Sequence, residues 1–370
     1  MSWIVDEIVA RGGAVPFDSF MDLALYHPVH GYYSSASPRY GRAADYLTAP
    51  TASGWYARVV ARLMRGLAGA TGPVRIIDLA AGDGSFLAGL TQSLGGTTAV
   101  VIDGAVAVER SGAMRQRILD RVGGSTFCLS ELSKIGAAPG PTVIHASELY
   151  DAYPVARAVG RDGGLREMWV TVDEGILTWS ERPPRDEVTA YFGGHGVVLE
   201  EGQIAEANLG AVASHRDALR VAGSDGLMLV LDYGYETARL YNPRGRRGGS
   251  LATFRQHRVG RNPLEAPGNS DITAHVNWDD LRVAGREEGW VEVGLWPLAE
   301  FLVRAGLAAE LEERGLGMEA EIDAATFSAR QEVKRLLDPD GMGSDLKVLV
   351  QANGRMVNIA SEALAMSTEF

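Results

Sequence analysis

The segment Val74-Arg-Ile-Ile-Asp78-Leu-Ala80-Ala-Gly82-Asp83-Gly84-Ser-Phe86 constrains the fold more than any other part of the chain. An apolar run stops at an acid and turns at once into a glycine-rich loop. Such a run suits a strand buried in a parallel sheet, and Gly82 and Gly84 let the backbone turn tightly and approach a ligand where a Cβ would stand in the way. Behind the loop, Phe86-Leu-Ala-Gly-Leu90 reads as the start of a helix packed on the sheet. This is how a cofactor-binding βα unit begins.

The nicotinamide fingerprint needs a third glycine three positions after the second glycine of its Gly-x-Gly pair, and counting from Gly84 that position is Leu87. A dinucleotide oxidoreductase is therefore a distant reading. An acid, one residue, then small residues alternating to Gly84 resembles instead the first motif of class I S-adenosylmethionine (SAM) methyltransferases, with Ala80 where that family usually has its first glycine. Downstream, Gly104-Ala-Val-Ala-Val-Glu109 is a second apolar run ending in an acid. It falls roughly 25 residues after Gly84, where such folds place a carboxylate on the ribose hydroxyls, in charge-assisted hydrogen bonds.

The rest of the chain is compatible with a soluble enzyme. At 370 residues it exceeds the usual single core, so an enlarged domain with insertions is expected. No apolar stretch reaches the length of a membrane span, and the first residues carry acids where a signal peptide carries bases, so the expectation is a cytoplasmic protein without membrane insertion. Cys128 is the single cysteine and the histidines form no Cys/His ligand cluster; His27 and His30 have no evident third ligand, so no metal is expected. A formal net charge of −12 opposes nucleic-acid binding and slightly favours a basic partner.

Patterning predicts helices over 2–10, 18–25 and 51–67, separated by a long loop dense in Gly, Pro and Tyr. Strands follow at 74–78, 104–109, 125–130 and 142–148, with a helix at 110–122. Residues 166–179 alternate like a hairpin turning near Asp173-Glu174-Gly175, 204–221 read as a helix, and 226–234 form the most apolar strand. Residues 241–277, rich in Arg, Gly, Asn and Pro, suggest an insertion over the carboxyl edge of the sheet, where open α/β folds bind ligands. A strand at 290–295, helices around 298–311 and 324–337 and a strand at 346–351 complete the pattern.

Several segments together resemble one family across nearly the whole chain, the MidA family of SAM-dependent methyltransferases, to which a mitochondrial complex I assembly factor that methylates a protein arginine belongs. The matching stretches are Phe20-Met-Asp-Leu-Ala-Leu-Tyr-His-Pro with Gly31-Tyr-Tyr33, Asp78 to Gly84, Glu109 with Ser111, Glu148-Leu-Tyr-Asp151-Ala-Tyr-Pro154-Val, Leu231-Asp-Tyr-Gly-Tyr235, and Asp271-Ile-Thr-Ala-His275-Val with Trp278. The resemblance implies an α/β fold: a class I methyltransferase (Rossmann-like) sheet with a helical N-terminal region and an inserted α+β lobe. The expected organisation is a cap and loop over the cofactor site in 1–72, a core in 73–353 with insertions at about 155–225 and 235–285, and a tail in 354–370. The chain departs from the family at Ala44-Asp45-Tyr46 and Thr48-Ala-Pro50-Thr51, where relatives carry Gly-Asp-Phe followed by Thr, Pro and Glu, and at Ser147, where relatives carry Asn.

On this resemblance Asp78, Ala80, Gly82, Asp83, Gly84, Glu109 and Ser147 are expected at SAM, with S-adenosylhomocysteine as product. An arginine acceptor is a poor nucleophile, because its guanidinium stays protonated and its lone pair delocalised; a carboxylate gripping the other nitrogens orients it. Glu148 is expected to be that carboxylate and Asp151 its partner or a later proton acceptor. Tyr32, Tyr33, Asp45, Tyr46, Tyr233 and His275 are expected around the substrate, and the tyrosines of the N-terminal loop over the cofactor. The implied partner is a protein or peptide substrate, a respiratory-complex subunit among the candidates; a homodimer is compatible with the sequence. Two other readings stand beside arginine methylation: a small molecule or modified peptide as acceptor, and a SAM-binding assembly factor that holds a client without turnover.

Overall fold

The most apolar run of the chain lies near the middle of a twisted sheet, and its side chains alternate between two separate cores. The structure, a computed structural model, describes residues 2–34, 53–95, 101–123, 126–136, 140–256, 258–317 and 323–366. Its strands in chain order are β1 (Ala14–Pro16), β2 (Val74–Leu79), β3 (Val101–Val108), β4 (Thr126–Leu129), β5 (Thr142–Ser147), β6 (Ala156–Arg161), β7 (Gly164–Asp173), β8 (Ile176–Arg182), β9 (Ile204–Ala207), β10 (Gly226–Tyr235), β11 (Ala252–Arg255), β12 (Arg258–Gly260), β13 (Asp271–Thr273), β14 (Val276–Asn277), β15 (Val291–Pro297) and β16 (Leu346–Ala352).

The main sheet runs β15-β16-β10-β5-β2-β3-β4, with β14 extending β10. From β10 to β4 the strands are parallel, and only β16 enters antiparallel, paired to both β10 and β15. Leu227, Leu229 and Leu231 face the helices Trp55–Thr71, Ser85–Leu94 and Leu298–Arg304, whereas Met228 and Val230 face Leu209–Ala222 and Trp278–Glu287. Burial on both faces explains why β2, β5 and β10 read as nearly continuous apolar runs. No described helix is long and apolar enough to cross a membrane.

A second, antiparallel sheet in the order β1-β7-β6-β9, with β8 beside β7, fills the stretch between β5 and β10. The hairpin turn at Glu174 and Gly175 has positive φ at both residues (48° and 80°), the conformation that matches the strands' twist. Strand β1 pairs with β7, so helices Ser2–Ala10 and Phe17–Tyr26 pack on the inserted sheet through Ile4, Ile8, Phe17 and Phe20. The segment between β10 and β14 adds a third sheet, β12-β11-β13.

Three elements differ from the sequence reading. Residues 204–221 are not one helix: Ile204–Ala207 pairs with β6, and Asn208 accepts the Ala211 N–H at 3.0 Å, capping a helix that begins only at Leu209. The helical stretch after β15 is broken at Gly306 (φ 92°) into Leu298–Arg304 and Leu307–Glu313. Residues after 354 form a helix, Met356–Ala363, whose Met356 and Ala360 are buried against the sheet.

Candidate active site

The glycine loop leaves β2 with three alternate residues in the left-handed region of the backbone. Ala80 (φ 51°), Gly82 (φ 55°) and Gly84 (φ 77°) all have positive φ, and a Cβ at Gly84 would lie 3.2 Å from the Ile118 Cα. Glycine is required at Gly84 on both counts, whereas Ala80 tolerates the conformation at a cost of about 1 kcal/mol. Glu109, at the end of β3, ties the loop: Oε2 accepts the Gly82 N–H at 3.0 Å and Oε1 the Ser111 N–H at 2.7 Å. Burial pushes its carboxyl up, and these two N–H groups oppose the shift. Each oxygen keeps a further lone pair, so both can still accept from a ribose diol.

Asp78 is buried behind this loop. Its Oδ1 lies 2.7 Å from His145 Nδ1, and Tyr56 Oη lies 3.0 Å from His145 Nε2. An ionised carboxylate can only accept, so His145 donates through Nδ1 and accepts the Tyr56 hydroxyl proton at Nε2. Phe86 stacks on His145 at 3.8 Å between centroids. Burial raises the Asp78 carboxyl, against the pull of His145, and burial also raises the Tyr56 phenol, keeping it a donor.

Two buried polar atoms here have no hydrogen-bond partner among the described residues: Asp78 Oδ2 and Ser147 Oγ. Asp78 pairs with His145 and Leu79 with Ala146, so Ser147 lies one step further, opposite Ala80 at the carboxyl end of the strands. Buried polar groups are normally satisfied. Two orphans beside a left-handed glycine loop and a carboxylate with open lone pairs fit a polar nucleoside ligand. Asp83, expected at the cofactor, is held by its own chain. Its Oδ1 accepts the Ser85 N–H (3.0 Å) and hydroxyl (2.6 Å), and its Oδ2 pairs with Arg121 at 2.7 Å, so it starts the helix Ser85–Leu94.

The loop after β5 carries the second group of acids. Glu148 sits in the left-handed region (φ 49°), its N–H donating to Leu231 O at 2.7 Å. Such backbone strain in a non-glycine residue clusters at functional sites. Asp232, on β10, accepts from Tyr150 N at 2.9 Å, Asp151 N at 3.4 Å and Tyr233 N at 2.8 Å. The loop is pinned from behind by a buried chain: Tyr150 Oη to His215 Nδ1 (3.1 Å), His215 Nε2 to Gln351 Oε1 (2.7 Å), and the Asn208 amide to Tyr150 O (2.8 Å). Burial holds His215 down at about 4, so the chain is uncharged at neutral pH.

Asp271 joins from the third sheet. It accepts the Tyr33 hydroxyl at 2.8 Å, and Ala274 N donates to Asp151 O at 2.9 Å. Burial first, then Asp232, Glu148 and Asp271, push the Asp151 carboxyl well above the ordinary range; burial pushes Asp232 up to about 7 against its backbone donors. Tyr233 is raised by burial and by Glu148, Asp151 and Asp232, which places its ring beside the same acids.

The other expected substrate residues separate. Tyr33 reaches the acids, but Tyr32 is only 1% exposed and belongs to the N-terminal core, which corrects its assignment to the cleft. His275 is held by Arg246 at 3.0 Å through Nδ1, lies tilted against the Tyr235 ring at 5.3 Å between centroids and is pushed down to about 4 by burial and Arg246, so it is a neutral, already engaged imidazole. Asp45 and Tyr46 lie outside the described residues. Residues that sequence reasoning passed over include Tyr56, Phe86 and His145. A lone histidine inside the apolar run Thr142-Val-Ile-His-Ala was the available signal, since such a group needs a buried partner.

The sequence profile of an S-adenosyl-L-methionine-dependent methyltransferase family matches residues 56–295, a span that holds the glycine loop, Glu109, the Glu148 loop, β10 and the third sheet. The chain belongs to this family. A COG1565 superfamily member from Burkholderia thailandensis, solved with S-adenosyl-homocysteine bound, superposes with a TM-score of 0.81 at 29% identity, covering 94% of this chain and 90% of that one. A native crystal structure of a COG1565 superfamily protein from the same organism gives the same TM-score and identity, covering 98% of this chain and 92% of that one. Protein arginine methyltransferase NDUFAF7, a mitochondrial protein of Danio rerio, is 23% identical over 383 residues, 92% of this chain and 83% of the relative. The protein is thus a class I, SAM-dependent methyltransferase.

Proposed function

We propose that the enzyme N-methylates an arginine side chain of a protein or peptide. The observation that carries this reading is the convergence of Glu148, Asp151, Asp232 and Asp271 at the carboxyl ends of β5 and β10, where Asp151 and Asp232 are buried and have no Lys, Arg or His within ion-pair distance among the described residues. Buried acids without a cation are costly, and a guanidinium entering from solvent removes that cost. The name of the zebrafish relative supports the same acceptor.

In this reading Gly82, Gly84 and Glu109 hold the nucleoside, with Ala80 shaping the turn, and Asp78 Oδ2 and Ser147 Oγ receive the polar groups of the methionine part. SAM supplies an electrophilic methyl group. The protein's contribution is to align the attacking nitrogen, for which positioning supplies on the order of 7–11 kcal/mol in favourable cases. Glu148, strained and fixed by Leu231, grips the nitrogens that do not attack and draws positive charge away from the one that does. Asp151 holds one end of the guanidinium and takes the proton that leaves it, a task suited to a carboxyl held above its ordinary range. Tyr33 and Tyr233 wall the acceptor.

Incubation of the purified enzyme with SAM and cell extract, followed by mass spectrometry, tests this directly: methylarginine in a protein is the expected product. Methylation confined to a small molecule, or to a residue other than arginine, would overturn it.

A further inference from the structure

Residues 237–264 contain seven arginines and no Asp or Glu, in a chain whose formal net charge is −12. The segment starts at the carboxyl end of β10 and runs through the β11–β12 hairpin. Within it Arg255 and Arg258 are register partners on adjacent antiparallel strands. Like charges directly opposite destabilise a strand pair, and Arg244, Arg255, Arg258 and Arg261 are exposed and have no carboxylate partner among the described residues.

The hairpin is joined to the acceptor site. On its inner edge β11 pairs with β13, where Phe254 lies opposite Asp271, a member of the carboxylate cluster. On its outer edge β12 has no further strand among the described residues, and Val259 is 71% exposed. At the root of the segment, Arg246 and Arg239 stand over the Tyr235 ring at 4.0 and 4.2 Å, two β10 residues beyond Tyr233. A buried acidic cluster and an exposed basic segment therefore adjoin along one end of the sheet.

We propose that the β11–β12 hairpin, with the arginine-stacked Tyr235 at its root, docks an acidic segment of the protein substrate that flanks the acceptor arginine. The carboxylate cluster takes the cation and the hairpin takes the anionic neighbour, which fixes the direction in which the chain threads the cleft. Charge complementarity of this kind sets register and on-rate. An acidic protein segment fits better than nucleic acid, because phosphates continuing beyond the hairpin would meet the acidic remainder of the molecule. The proposal rests on the protein-acceptor reading above.

The test is fluorescence anisotropy with the full-length enzyme and no turnover. The probes are a labelled Glu-rich peptide with one arginine, the same peptide with that arginine replaced, a Gln-rich control and a single-stranded oligonucleotide of equal length. The Glu-rich peptide should bind with an affinity that falls as salt rises. The variant R244Q/R255Q/R258Q/R261Q should bind it on the order of tenfold more weakly, from four exposed contacts, with SAM affinity unchanged as a check of folding. Equal binding of the Gln-rich control, unchanged binding by the variant, or tighter binding of the oligonucleotide would overturn the proposal. The peptide without arginine separates the two readings: its retained, hairpin-dependent binding supports docking even where methylation assays find a different acceptor.

Discussion

Asp78 and the pair Asp151–Asp232 are buried carboxylates at the same edge of one sheet, yet they are provided for in opposite ways. Asp78 has a base, His145, and behind it a phenol and a stacked ring, so its Oδ1 is fixed and its Oδ2 has no partner among the described residues. Asp232 and Asp151 have backbone N–H donors and other acids around them. The first arrangement leaves one oxygen without a partner among the described residues, and suits a ligand group held in a defined place. The second has no base among the described residues, and the proposed guanidinium acceptor would supply its cation. Burial alone does not distinguish a positioning acid from an acid that binds; the identity of the neighbours does.

The contrast breaks most directly at Glu148. Glu148→Gln keeps the shape and removes the charge, so kcat should drop by about a hundredfold or more while SAM affinity stays within about twofold, read by calorimetry and single-turnover assay. Unchanged turnover would remove Glu148 from the acceptor site. On the other side, His145→Phe leaves both Asp78 and the Tyr56 hydroxyl without their partner. It should lower stability by about 3 kcal/mol in urea unfolding and weaken SAM binding, with Tyr56→Phe costing about 1 kcal/mol. If His145→Phe changes stability alone, the chain is structural and not a support for the cofactor site.

A pH series sharpens the difference. Asp232 is raised from 3.8 to about 7 in the native state. Below about pH 4 it is protonated in both states, and between about 4 and 7 the unfolded chain ionises first, so its stabilising contribution is lost as pH rises across that window. Binding of an arginine peptide should run the other way, tightening by up to about tenfold per pH unit as Asp232 ionises on the approach to about pH 7. Asp232→Asn should flatten that profile; a wild-type profile already flat would mean that this pair does not meet the acceptor. The smallest effect is expected at the loop itself. Ala80→Gly relieves a positive φ of 51° and should raise stability by at most about 1 kcal/mol, with little change in turnover.

Much of the core was legible because its signals are local. Burial on both faces makes β2, β5 and β10 read as apolar runs, and the loop after β2 needs residues that accept positive φ. The β7–β8 hairpin was legible from its alternation and the Glu174–Gly175 turn. The false helix over 204–221 shows the limit. Ile204-Ala-Glu-Ala satisfies a helical pattern as well as a strand, and only pairing with β6 and the Asn208 cap decide between them.

The candidate site divides in the same way. Asp78, Gly82, Gly84, Glu109 and Glu148 could be named in advance because each ends a strand or permits a turn, and a turn is determined by its own few residues. The partnership of Asp78 with His145 and Tyr56, the arrival of Asp271 and Tyr33 beside Asp151, and the engagement of His275 by Arg246 depend on the register of strands far apart in the chain. The sequence by itself determined the backbone conformations and the apolar faces, because these are chosen residue by residue. Which acid met a histidine and which were gathered beside other acids was decided by the tertiary structure, because a carboxylate's state follows from what packing places against it.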